Sequence, residues 1–148
     1  MINTLSNFEI DKILKHYKIN YNGIFQKDCL PNKLENGAYI INLQSSTDGN
    51  GTHWVALYKI NDGYSLYFDS MGFLPPKEVE EKLHKSKYDY NDKQIQGLNS
   101  SSCGYYVIAF ILFLSKYKSK KAFETFISLF CSNNSKKNEV ILYKLLYP

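Results

Sequence analysis

The sequence contains no arginine, and all 18 of its basic side chains are lysine. Without guanidinium forks there is no bidentate recognition of phosphate or guanine, so sequence-specific reading of DNA is not expected. The net charge of +4 leaves room for weak contact with a polyanion such as DNA, but is otherwise what a solvated surface carries. Cysteine is scarce: Cys29, Cys103 and Cys131 are odd in number and widely spaced, which suggests neither a disulfide framework nor a zinc ribbon. Long apolar runs are missing too. The longest, Tyr105 to Leu114, falls far short of a membrane span, so no membrane partner is expected. Met1-Ile2-Asn3-Thr4 lacks the basic start and apolar stretch of a secretory signal. These absences describe a soluble protein of a reducing compartment.

What is present is apolar and aromatic. Hydrophobic residues make up 44% and aromatics 16% of the 148 positions, enough to bury a core without staples and to exclude disorder. A single domain over residues 1–148 is expected. Ser6 can cap a helix whose apolar positions Phe8, Ile10, Ile13 and Leu14 recur at helical spacing to near Tyr17. Asn20 to Pro31 reads as loop, Ala38 to Leu43 as a short strand and Gln44 to Thr52 as a polar loop. Pro75-Pro76 opens a charged helix over Lys77 to Leu83. Ser86 to Lys93 is polar, and Gln94-Ile95-Gln96 reads as a short strand. Cys103 to Leu114 is a helix apolar nearly all round, which places it at the centre of a domain. Lys120 to Phe130 and Asn138 to Leu146 read as amphipathic helices. Helices, then a sheet, then helices indicate an α+β fold.

The runs His53 to Ile60 and Tyr64 to Asp69 flank Asn61-Asp62-Gly63 and make a hairpin. A three-residue loop with Gly63 left-handed pairs Ile60 with Tyr64 and, farther out, Val55 with Asp69. Alternation then sets His53, Val55 and Asp69 on one face, with His53 and Asp69 as diagonal neighbours. Trp54, Ala56, Tyr58, Leu66 and Phe68 fill the other face. A two-residue loop would instead part His53 from Asp69, so the pairing depends on the turn. Alone, a histidine at a strand start or an aspartate at a strand end is most often structural. Facing each other, the carboxylate fixes the imidazole tautomer and stabilises the imidazolium.

Cys103 follows Asn99-Ser100-Ser101-Ser102 and opens the buried helix. Helix N-termini carry unpaired N–H groups and partial positive charge, an environment that favours a nucleophilic thiolate. A small buried capping residue is the plainer alternative. Gly104 leaves room for substrate beside the backbone. Gln96, seven residues earlier, can donate a side-chain amide to an oxyanion together with the Cys103 N–H. Gln94 competes for that role, and spacing alone does not separate the two.

Read together, His53-Trp54, Tyr67-Phe68-Asp69-Ser70-Met71-Gly72-Phe73 and Gln96-Gly97-Leu98-Asn99-Ser100-Ser101-Ser102-Cys103-Gly104 resemble the adenain family of viral maturation proteases. That family belongs to a wider group that includes proteases processing ubiquitin-like proteins. The resemblance runs from about Gly37 to Leu114 and preserves the family order His, acid, Gln, Cys. It implies His53 as general base, Asp69 as orienting acid, Gln96 as oxyanion donor and Cys103 as nucleophile. It also implies a central mixed sheet against the helix that carries the cysteine, with further helices flanking them. Trp54 would confine the residues next to the scissile bond, which favours glycine there. The implied function is an endopeptidase cutting viral structural precursors at Gly-containing sites during virion maturation. Such an enzyme would act as a monomer, without metal or cofactor, in the virion and the host cytoplasm or virus factory. Asp69 stands where the adenovirus enzyme has Glu, and no cysteine lies between Asp69 and Gln96 to carry that enzyme's disulfide-linked peptide. A deconjugase of ubiquitin-like modifiers and an inactive protease-fold binding protein are the rival readings. His16 and His84 fall in surface-helix contexts. Cys29 and Cys131 read as packing residues.

Overall fold

The computed structural model describes residues 4–44, 53–84 and 86–148. The residues read above for a secretory signal, apart from Thr4, lie outside these, as does all but Gln44 of the expected polar loop 44–52. Helix α1 (Asn7–His16) starts on a full capping box: the Ser6 hydroxyl accepts from the Glu9 N–H, and the Glu9 carboxylate accepts from the Ser6 N–H. Strands β1 (Ile24–Gln26), β2 (Gly37–Asn42), β3 (Trp54–Asn61) and β4 (Tyr64–Phe68) follow, then α2 (Lys77–Lys82) and β5 (Lys87–Tyr90). Helices α3 (Cys103–Lys116), α4 (Lys120–Ser128) and α5 (Ser135–Leu146) complete the described chain. The strands form one sheet in the order β1-β2-β3-β4-β5. Its three central strands are antiparallel, and each edge strand runs parallel to its neighbour. The fold is α+β with a mixed sheet, as expected.

Three local expectations are corrected. Ile24–Gln26, within the segment read as loop, is an edge strand; three half-buried residues give too short a pattern to see. Lys87–Tyr90, within the segment read as polar, is the opposite edge; its lysine and tyrosines suit a strand that must not recruit another chain. Gln94-Ile95-Gln96 is not a strand, because its backbone N–H groups at Ile95 and Gln96 both donate to the Ser70 carbonyl at the end of β4.

The hairpin is instructive. Gly63 is not left-handed, and Asn61 pairs with Tyr64 across a two-residue loop. That loop would have separated His53 from Asp69. A bulge between Lys59 and Asn61 adds the missing residue, so Lys59 pairs with Ser65 and Ala56 with Phe68. This is the register expected from the sequence, reached by a different turn. Trp54, Ala56, Tyr58, Leu66 and Phe68 therefore face the larger core beneath α3, while Val55, Leu57 and Tyr67 face a smaller cluster with Leu30, Leu34 and Val79. Phe110 of α3 stacks on Phe68 at a centroid distance of 5.0 Å and meets Phe123 and Phe126 of α4 edge-on. The nucleophile candidate is thus mounted on a helix clamped between sheet and α4.

Candidate active site

His53 lies just ahead of β3 and Asp69 just past β4, so the hairpin register brings them together. His53 Nε2 is 2.7 Å from Asp69 Oδ1. Asp69 is fully buried, and the same Oδ1 accepts the Met71 N–H at 2.8 Å. The buried Asn91 side chain grips the Asp69 backbone from both sides, accepting its N–H at 3.1 Å and donating to its carbonyl at 2.6 Å. A side-chain amide here continues the β4–β5 pairing where the strand itself has ended. With Nε2 committed to Asp69, the imidazole has Nδ1 left for its other neighbour. That neighbour is Cys103, which lies within side-chain hydrogen-bond reach.

Burial is the largest influence on His53 and acts to lower its pKa. Hydrogen bonding to Asp69 and Cys103, then their charges, outweighs burial and pushes it from 6.5 up to about 9. A native value above the unfolded one means tighter proton binding in the native state. The resulting stabilisation, on the order of 3 kcal/mol, is fully present below the unfolded pKa and is lost as pH rises through the native one. Thermal unfolding should show Tm falling between pH 6.5 and about 9. A flat or rising Tm across that window would contradict the His53 environment described.

Cys103 is the first residue of α3, buried, with 2% of its surface exposed. Gln96 is buried as well. Its Oε1 accepts from the fully buried Ser70 hydroxyl at 2.6 Å, and its Nε2 donates to the Ser100 carbonyl at 2.8 Å. These two bonds fix which way the amide faces and tie it to the segment leading into Cys103. Gln94, the competitor, is exposed and donates its amide back to the Gln96 carbonyl. Of the two, Gln96 is the one built into the site.

Trp54 is buried, and its indole N–H donates to the Leu5 carbonyl at 2.9 Å. A Cβ at Gly104 would meet Leu5 at 3.2 Å and Trp54 at 3.4 Å, so close packing is one reason for glycine there. Trp54 also borders a groove of about 710 Å³ shared with Leu5, Phe8, Phe25, Asn42 and Cys29. Cys29, expected as a packing residue, is exposed on this groove. Cys131 is half-buried, its backbone bonded to the Asn138 side chain. His16 and His84 are exposed and outside the site.

Three residues of the site were not singled out from sequence. Ser70 lies in the segment 67–73 with no signal of its own. Asn91 carried no signal, being one polar residue in a polar stretch. Glu139, on α5, accepts from the Ser100 and Ser102 hydroxyls and is distant in sequence from everything it touches. Among the described residues, no three His, Cys, Asp or Glu side chains form a cluster that could hold a metal ion, and no helix is long and apolar enough to cross a membrane.

Comparison with known proteins bears on this geometry. No curated protein matches the chain. Two solved structures of the ASFV pS273R protease, one of them a selenomethionine form, share its fold with TM-scores of 0.60 and 0.59 at 19% and 20% identity. Each alignment covers 97% of this chain and 66% of the other, so the chain spans just under two thirds of their length. A family model for the Ulp1 protease family, C-terminal catalytic domain, matches residues 38–145, a stretch that takes in His53, Asp69, Gln96 and Cys103. The chain therefore belongs to the Ulp1 protease family and carries its C-terminal catalytic domain.

Proposed function

We propose that residues 1–148 act as one cysteine endopeptidase domain, with Cys103 as nucleophile, His53 as proton carrier, Asp69 as its orienting acid and Gln96 as an oxyanion donor. The observation that carries this reading is the continuous line from Asp69 through His53 to Cys103 at the start of a buried helix. His53 holds its proton up to about pH 9, so at neutral pH the resting pair is an imidazolium facing the sulfur. The sulfur attacks the peptide carbonyl carbon, and charge moves onto the carbonyl oxygen. The Gln96 amide and the Cys103 N–H donate to that oxygen. The C–N bond breaks as the imidazolium passes its proton to the leaving nitrogen. The neutral imidazole then takes a proton from water as the water oxygen attacks the thioester carbon; the C–S bond breaks, its electron pair returns to the sulfur, and the acid leaves with the imidazolium–sulfur pair restored. Asp69 keeps the ring oriented through both transfers.

Trp54, packed against Gly104 next to Cys103 and bordering the groove, would narrow the approach to the sulfur and favour glycine next to the cut bond. The groove beside Trp54 would take the residues that precede it. The resemblance of the His53, Asp69, Gln96 and Cys103 segments to viral maturation proteases supports viral structural precursors as substrates, cut during virion maturation in the virion, host cytoplasm or virus factory. The enzyme would work as a monomer without cofactor, with at most weak polyanion contact. Membership of the Ulp1 protease family favours a second reading, removal of a ubiquitin-like modifier.

The experiment is labelling with a thiol-reactive peptide probe ending in Gly-Gly. Modification of Cys103 that needs His53, with Cys29 and Cys131 spared, supports the reading. Equal labelling of all three cysteines refutes it. A peptide panel cut equally well with bulky residues in place of glycine would refute the specificity. Fluorogenic modifier substrates separate precursor cleavage from deconjugation.

A further inference from the structure

Ser102 occupies the N-cap position of α3, where a serine hydroxyl ordinarily accepts from a first-turn N–H. Here it makes no such bond. Its hydroxyl donates instead to Glu139 Oε1 at 2.6 Å, and the Ser100 hydroxyl donates to the same oxygen at 2.9 Å. Ser100 Oγ in turn accepts the Ser102 N–H at 3.2 Å. The Ser100 carbonyl is the acceptor that holds the Gln96 amide. One carboxylate oxygen, reached from α5, therefore fixes the segment that carries the oxyanion side chain on one flank and the nucleophile on the other. It also draws the cap hydroxyl away from the helix start, leaving the N–H groups there unclaimed by Ser102.

Glu139 is committed to this role by its surroundings. Its second oxygen, Oε2, is buried and lacks a well-aligned hydrogen bond. The buried Tyr106 hydroxyl is its neighbour; burial first, then the Glu139 charge and a poorly aligned hydrogen bond to Glu139, hold the phenol protonated by raising its pKa. A carboxylate kept in such a place costs desolvation, which two converging hydroxyls only partly offset. Nothing about α5 as a packing helix requires it.

We infer that Glu139 is a positioning residue of the active site, holding Ser100 and Ser102 so that Gln96 and the N-terminus of α3 face the oxyanion. This rests on the peptidase reading of Cys103. The test compares Glu139→Gln with Glu139→Ala. Glutamine keeps an acceptor oxygen for both hydroxyls and removes the charge; alanine removes both and frees Ser102 to cap its own helix. The ratio between the two variants isolates positioning from charge.

With turnover normalised to titrated Cys103, Glu139→Ala should lower kcat about 10²-fold relative to Glu139→Gln, with KM nearly unchanged. The rate of Cys103 alkylation by iodoacetamide should likewise be slower in Glu139→Ala than in Glu139→Gln. Equal normalised kcat in the two variants, or a loss that only mirrors a smaller folded fraction, overturns the inference. Should the wild type cleave nothing, the peptidase reading fails by itself. The alkylation arm then still decides on Glu139, because equal rates in the two variants reject it.

Discussion

Cys103→Ala should abolish peptide cleavage, with kcat/KM falling about 10⁶-fold, and leave the fold intact. The size of the loss comes from the role proposed for the sulfur. Cys103 opens α3 within side-chain hydrogen-bond reach of His53, so its removal leaves only the background from oxyanion donors and binding. The fold should survive because the change is small. Cys103 is one residue in a large cluster that includes Phe68, Phe110 and Phe126, and losing a single sulfur atom costs about 1 kcal/mol. For a chain of this size that is a Tm shift of about 3 °C. Rate and stability thus separate a nucleophile from a packing residue. If Cys103→Ala retained cleavage within about tenfold of wild type, the peptidase reading would be lost.

Asp69→Asn should lower kcat about 10⁴-fold with a folded protein and little change in KM. The carboxylate accepts from His53 and from the Met71 N–H on one oxygen. An asparagine can keep the Met71 bond through its own oxygen. Its NH₂ group can then donate to His53 Nε2, which forces the ring proton onto Nδ1, facing the sulfur. In that tautomer the ring has no lone pair for a proton arriving from the thiol or from water. The substitution also removes the Asp69 hydrogen bond and charge from the interactions that hold His53 up at about 9, so burial is less well offset and its pKa falls. NMR titration of the imidazole reads this directly, and the fall of Tm between pH 6.5 and about 9 should flatten with it. Unchanged His53 titration in the variant would show that the carboxylate does not govern the ring.

The two expectations fail in different ways. Loss of cleavage in Cys103→Ala together with an unmoved His53 titration in Asp69→Asn would keep the nucleophile and discard Asp69 as its partner's support. Prime attention then passes to Asn91 and Met71, whose bonds to Asp69 would be structural only. A fall in the His53 titration with no effect on rate would point the other way, to an imidazole whose charge stabilises the fold without serving the reaction.

Much of this was legible in the chain itself because the decisive signals are local. Alternation along His53 to Ile60 and Tyr64 to Asp69 assigns each side chain a face, whatever the sequence distance to its partner. The all-apolar run from Cys103 onward requires a buried helix, and a helix start brings its electrostatics with it. Those rules sufficed for an α+β architecture and for bringing His53, Asp69 and Cys103 forward as candidates; the mixed sheet was implied by the family resemblance. The turn shows their limit. The register was right, but a bulge at Ile60 supplies it and not a left-handed Gly63, since backbone dihedrals in a polar loop answer to the twist of the whole sheet. Short edge strands escaped for the same reason: Ile24–Gln26 and Lys87–Tyr90 are strands only because a neighbour offers them hydrogen bonds.

The supports of the site belong wholly to the tertiary structure. Which of Gln94 and Gln96 is buried beside the segment leading to Cys103 is set by contacts such as the Ser70 hydroxyl, which no spacing rule could weigh. Asn91 holds Asp69 across 22 positions, and Glu139 reaches Ser102 across 37. A polar side chain carries no periodic signature of its partner, because hydrogen bonds depend on distances of a few ångströms between atoms that only packing brings near. Hydrophobic pattern is written along the chain and determined the frame; the polar contacts that aim the chemistry were decided when the frame closed.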